Sequence, residues 1–169
     1  MYLCHSRKIA MVIDDKTYKE ICNHFSNYLT EKNLRKTEER HTILKQICSL
    51  SDHFTVDQLE QQLAEAKFHV SKATLYNTIE VLVEGGIIVR HQIHSKRVEY
   101  ELRKRAETHL HQVCSICGAQ REVKLDAILR NSIYAHITRF TPEYFSLYVY
   151  GICNKCRKKQ KNKNKYNLS

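Results

Sequence analysis

Hydrophobic residues in the first half of this chain recur at the spacing of amphipathic helices, and beyond Gly86 they begin to alternate as strands do. Tyr18, Ile21, Cys22, Phe25 and Leu29 share one face of a helix that Asp14 or Asp15 can cap and that runs toward Thr30. A second helix is predicted from about Thr37, with Ile43, Leu44, Ile47 and Leu50 inward, and a third after Thr55, with Val56, Leu59 and Leu63. Ser71 can cap a fourth, in which Leu75, Ile79 and Leu82 fall at i, i+4 and i+7 and face the core. Gly85 and Gly86 end it. Two strands follow, Ile87 to Ile93 and Val98 to Leu102, with a turn near His94, Ser95 and Lys96.

The outer side of the fourth helix presents Ala73, Asn77 and Glu80, with Tyr76 on its flank. Taken alone, this is an ordinary solvated helix face. The hairpin that follows, with Lys96 and Arg97 at its tip, turns the set into a winged helix, an architecture used mostly on duplex DNA. Small Ala73 permits close approach. Lys72 then supplies a phosphate contact, Tyr76 an apolar face for a thymine methyl and Asn77 an amide for base edges, with Thr74 as a further DNA contact and Arg35, Lys36 and Lys96 as phosphate partners. Past the hairpin the pattern predicts a strand from His109 to Cys114, one near Glu122 to Leu125, a helix from about Asp126 to Phe140 and a strand from Phe145 to Tyr150. The expected fold class is therefore α+β: an N-terminal extension at 1–13, a winged-helix DNA-binding domain at 14–103 and a small α/β domain at 104–156. Met11 precedes a better helix start than Met1, so Met1 to Ala10 read as a frayed extension or a misassigned beginning.

Cysteine spacing adds chemistry to the second domain. The pairs Cys114/Cys117 and Cys153/Cys156 supply thiolates for one tetrahedral zinc ion and leave His109 and His111 free for a second metal. Thirty-five residues separate the pairs, about twice the gap of a compact zinc ribbon, so this ion would clamp the chain's last strand against the start of the domain. No run is long enough to span a membrane, and Met1 to Val12 mixes Cys4, His5, Arg7 and Lys8 among its apolar residues, which excludes a secretory signal. A cytoplasmic, reducing setting follows, where paired cysteines hold zinc rather than form disulfides. Cys4, Cys22 and Cys48 read as buried or incidental thiols. Of the net charge of +10, six charges lie in the acid-free stretch 157–169, expected to be a basic disordered tail. The remaining excess permits nucleic-acid binding.

These residues resemble the ferric uptake regulator family. Leu34-Arg35-Lys36-Thr37 with Arg40 is similar to the family's helix-opening motif, and Ala73-Thr74-Leu75-Tyr76 to its recognition-helix signature. Tyr100-Glu101 is similar to the strand before its hinge, and His109-Leu110-His111 with both cysteine pairs and Tyr148-Val149-Tyr150-Gly151-Ile152 to its dimerisation half. The resemblance implies a homodimeric repressor that binds a palindromic double-stranded DNA operator when loaded with a divalent metal ion. It implies Zn(II) as the structural ion on Cys114, Cys117, Cys153 and Cys156, and a regulatory ion on His53, Glu101, His109, His111 and Glu122. Peroxide sensors of the family place aspartate where Glu101 and Glu122 stand, and its zinc sensors tend to use a cysteine in this site. Fe(II) is therefore the expected regulatory metal, with Mn(II) or Zn(II) as alternatives. An accessory site of some members would need ligands where Thr108, Leu110 and Phe145 stand, so two ions per subunit are expected.

Two other classes compete. A zinc-dependent hydrolase could use His, His and Glu, but catalytic zinc keeps an open position that five protein ligands would fill. With four glycines and no nucleophile arrangement in view, the sequence favours a non-enzyme. A zinc-stabilised RNA-binding protein would prefer single strands and be indifferent to the second ion.

Overall fold

The computed structural model describes residues 13–51, 53–91, 98–142 and 144–166, with side chains through residue 160. The N-terminal extension as far as Val12 and the expected hairpin tip, Lys96 and Arg97 included, lie outside the described residues. Contacts divide the chain into two compact units that meet in sequence between Ala106 and Glu107.

In the first unit each helix begins where a short polar side chain can take up a free N–H. Asp14 caps α1 (Asp15–Glu31) by accepting from Thr17 N–H, and Thr37 caps α2 (Glu38–Ser49) by accepting from Arg40 N–H. Thr55 and Gln58 form a reciprocal capping box at the start of α3 (Val56–Glu65), and Ser71 caps α4 (Lys72–Glu84). Gly85 closes α4, and Gly86 follows at φ +64, where a Cβ would come within 2.8 Å of Arg103 Nη1. The positive φ calls for a residue without a side chain there, whereas the end of the Arg103 side chain could swing aside.

Strands β1 (Ile88–His91) and β2 (Glu99–Leu102) pair antiparallel, with His91 opposite Glu99 and Val89 opposite Glu101. Ile88, Tyr100 and Leu102 pack into a core with Phe25, Leu29, Ile43, Leu44, Leu59, Leu63, Leu75, Ile79 and Leu82. The short helix α5 (Arg103–Ala106), which the sequence pattern does not predict, is tied back by Arg105 Nη2, donating to the Leu50 carbonyl at 2.5 Å.

The second unit is a sheet in the order β4-β3-β5, with β3 (His109–Cys114) antiparallel to β4 (Gln120–Lys124) and parallel to β5 (Leu147–Gly151). Helix α6 (Ala127–Ala135), capped by Asp126, makes the crossover. It stops well short of the expected end at Phe140, because β-branched Ile137 and Thr138 and a left-handed Arg139 (φ 57) break the repeat. The stretch expected to be a disordered tail instead continues as α7 (Asn154–Tyr166). Cys156 is buried in its first turn, and Arg157 Nη2 donates to Asn154 Oδ1 at 2.8 Å. Lysine, arginine and glutamine are good helix formers once a turn is anchored. Among the described residues no helix is long and apolar enough to cross a membrane.

Ile79 is fully buried and joins α4 to the core, so Ile79→Ala should cost about 2–5 kcal/mol, read as a lower urea midpoint with zinc content unchanged.

Candidate metal centres and nucleic-acid interface

Cys114 ends β3, Cys117 lies in the turn before β4, and Cys153 and Cys156 bracket the start of α7. The parallel pairing of Cys114 with Gly151 brings the two ends together. The four sulfurs lie within 4.8 Å of one another, and Cys117 Sγ and Cys153 Sγ are 3.8 Å apart. Bonds of about 2.3 Å at tetrahedral angles require about 3.8 Å between sulfurs, so the donor set fits zinc. Cys153 N–H points at Cys114 Sγ at 3.3 Å. With the N–H groups of Cys117 and Ile116, it draws the Cys114 thiol down to about 6. Burial, followed by hydrogen bonding with the neighbouring cysteines, pushes Cys156 up to about 12.

The other expected ligands divide between the units. In the first, Phe54 and Tyr100 form an isolated antiparallel bridge, Phe54 N–H donating to the Tyr100 carbonyl at 2.9 Å and Tyr100 N–H to that of Phe54 at 2.8 Å. Their chain neighbours His53 and Glu101 are thereby brought side by side, with His53 Nε2 3.3 Å from Glu101 Oε1. Two ligands held about 2.1 Å from one ion at tetrahedral or octahedral angles stand about 3.0–3.4 Å apart, so this pair has ligand spacing. Glu101 has no exposed surface.

In the second unit, His109 and His111 project from one face of β3, both buried, with ring centroids 4.7 Å apart. Glu122, half-buried on β4, stands opposite His111 in the register, and Tyr148 of β5 stacks on the His111 ring at 5.0 Å. Imidazoles and a carboxylate on one face suit a borderline divalent ion.

Sequence reasoning missed His91. Its Nε2 lies 2.8 Å from Glu101 Oε1, the oxygen that His53 also approaches, only 2% of its surface is exposed, and its ring stands edge-on to that of His53 at 5.1 Å. The signal was the alternation that puts His91 and Glu101 on one face of two strands. Reading it requires the register of β1 on β2, which the alternation of either strand alone does not give.

On the nucleic-acid side, Tyr76 and Asn77 project from α4, opposite the buried Leu75, Ile79 and Leu82. Thr74 is half-buried and its hydroxyl is shared with Ser71 Oγ at 2.9 Å, which makes it part of the cap. Lys72 Nζ lies 3.3 Å from Glu60 on α3, and Glu80, which would repel phosphate, is paired with Arg90. An open groove of about 570 Å³ separates α4 from the entry to α2 and is lined by Arg35, Arg40, Thr74 and Asn77. Lys36 is exposed beside it.

The depressed Cys114 value carries a pH dependence. A thiol lowered from 9.0 to about 6 on folding contributes stability that is full above the unfolded value and is lost as pH falls through about 6. Metal-free, reduced protein should therefore show a thiolate absorbance rising with a midpoint near pH 6, and Cys114→Ala should remove it. A first midpoint at the ordinary cysteine value would contradict the geometry.

Residues 31–150 match the ferric uptake regulator family. The chain is 29% identical over 154 residues to the ferric uptake regulation protein of Campylobacter upsaliensis, covering 89% of this chain and 98% of that one. It is 31% identical over 138 residues to the peroxide operon regulator of Bacillus subtilis, covering 78% and 90%. Its fold is similar to the ferric uptake regulator of Pseudomonas aeruginosa solved with manganese, with a TM-score of 0.62 at 24% identity over 76% of this chain and 97% of that one. The chain belongs to the ferric uptake regulator family of metal-responsive transcriptional regulators.

Proposed function

We propose that this protein is an Fe(II)-responsive repressor that binds a palindromic DNA operator as a homodimer. In this reading Zn(II) is permanent on Cys114, Cys117, Cys153 and Cys156, and the regulatory ion takes His53 and Glu101 from one unit and His109, His111 and Glu122 from the other. The observation that carries it is the ligand-spaced His53–Glu101 pair, held by the Phe54–Tyr100 bridge on a unit that also bears the α4 face. A bound divalent ion supplies a positive centre on which buried carboxylate and imidazole groups can converge. Holding it from both units, the five side chains restrict how the units stand to each other, and DNA binding is favoured insofar as the restricted arrangement binds the ion better. Moving a population from mostly open to mostly closed takes roughly 5 kcal/mol, within the reach of coordination.

Three imidazoles and two carboxylates without sulfur suit Fe(II), Mn(II) or Zn(II) rather than Cu(I). The full ligand set also argues against a hydrolase, which needs a position for water and substrate. Dimerisation is supported by α6, which buries none of its own residues in the unit, and by edge strand β5. Ile128 on α6, Phe140 beyond its end, and Val149 and Tyr150 on the two faces of β5 are exposed, apolar surface suited to a second copy of the chain. Paired copies would present two α4 helices to successive half-sites.

Titrating zinc-replete protein anaerobically with Fe(II), Mn(II) and Zn(II) against a selected duplex should give tight binding that the double substitution His53→Ala/Glu122→Ala abolishes. Thiolate zinc and dimer should remain. Unchanged operator binding by that variant would remove the basis of the proposal.

The Bacillus subtilis relative favours a second reading, peroxide sensing. Glu101 and Glu122 favour iron, since the family's peroxide sensors use aspartate there. Fe(II)-loaded protein exposed to stoichiometric peroxide should keep its operator affinity and unmodified His53, His109 and His111 by peptide mass mapping. Loss of binding together with oxygen added to a histidine would select the peroxide reading.

A further inference from the structure

Arg40 lies in the first turn of α2, 37 residues before Asn77 in sequence, yet its guanidinium reaches across the groove to the exposed face of α4. Nη1 donates to the Arg35 carbonyl at 2.8 Å, and Nη2 donates to Asn77 Oδ1 at 2.9 Å. A guanidinium has donors and no acceptor, so it can meet only the oxygen end of the carboxamide. That contact settles which way round the Asn77 amide stands: the oxygen is turned toward Arg40, and the Nδ2 hydrogens are turned away from it.

We infer that Arg40 is a positioning residue for sequence reading, which fixes the Asn77 carboxamide end for end and turns its donor end away from the guanidinium. An asparagine free to rotate can pair with adenine through both ends, accepting from N6 and donating to N7. Held by Arg40, which occupies one of the two Oδ1 lone pairs, Asn77 leads with its Nδ2 donors, which match the N7 and O6 of guanine, N7 of adenine or O4 of thymine. Cytosine presents an amino donor on that edge and is disfavoured. The same guanidinium holds the backbone at Arg35, an expected phosphate contact, so the fork couples backbone register to base reading. Lysine could replace the charge but not the two-pronged geometry. This inference rests on the proposal that α4 enters the groove, and the test separates the two.

Zinc-replete, full-length protein would be loaded with whichever of Fe(II), Mn(II) and Zn(II) gives the tightest binding. A duplex selected from a randomised pool would then be varied one base pair at a time. Arg40→Lys and Asn77→Ala should each lose discrimination of about tenfold at the same base pair of each half-site, and the double variant should lose no more than either alone. Arg40→Lys should leave the salt dependence unchanged, because the charge is retained. Asn77→Asp, which turns the outward group into an acceptor while Arg40 still holds it, should move the preference at that position toward cytosine. Melting curves and zinc content would establish that the variants fold, and Asn77→Asp carries the test if Arg40→Lys does not. Additive losses overturn the inference. So does discrimination that survives Arg40→Lys but not Asn77→Ala, or an Asn77→Asp protein with unaltered preference. Tyr76→Ala is the control for helix placement. If it erases discrimination while Arg40→Lys does not, only the inference falls; if it erases none either, the placement of α4 falls with it.

Discussion

A carboxylate shut off from water has to be compensated by positive charge or by donors, and Glu101 is such a group. His53 stands 3.3 Å from its Oε1 and His91 2.8 Å, each brought there by backbone pairing rather than by chain proximity. The Phe54–Tyr100 bridge sets the first, and the β1–β2 ladder sets the second. A side-chain position already fixed by two neighbours costs little further ordering when a ligand arrives. The end of the hairpin is thus prepared for a cation by the same hydrogen bonds that build the first unit. In the proposed reading, metal sensing and DNA-binding scaffold share one set of contacts.

The second unit solves a different problem. Its sheet is small, α6 covers little of it, and much of its apolar surface faces outward. For a unit with so thin a core, a tetrahedral ion that joins the end of β3 to the start of α7 would contribute folding energy directly. Cys114, already drawn toward thiolate by neighbouring N–H groups, is the natural first ligand. The outward apolar face is the counterpart of that thin core: what the unit leaves uncovered is available to another copy.

On α4 a division of labour is visible residue by residue. Leu75, Ile79 and Leu82 anchor the helix, Ser71 and Thr74 complete its cap, and Arg90 neutralises Glu80. What is left projecting is Tyr76 and Asn77, and Asn77 is already oriented by Arg40. If α4 enters the groove as proposed, the Asn77 amide is oriented before DNA arrives.

Local chemistry was readable from the chain itself. Asp14, Thr37, Thr55 and Ser71 announce helix starts because a cap involves only the next three residues, and Leu75, Ile79 and Leu82 announce a buried face because helical spacing is local. The cysteine pairs and the His109/His111 pair carry their chemistry in their spacing. The rest depended on residues far apart. The 2.8 Å approach of His91 to Glu101 needed the strand register, and the fork from Arg40 to Asn77 needed two helices in contact. The composition of residues 157–166 favours solvation, whereas the structure runs them on as α7, whose first turn holds the buried Cys156. Sequence fixes what a residue can do over one turn of helix or one strand alternation. Tertiary packing alone decides which distant groups meet, since that follows from the summed geometry of every element between them.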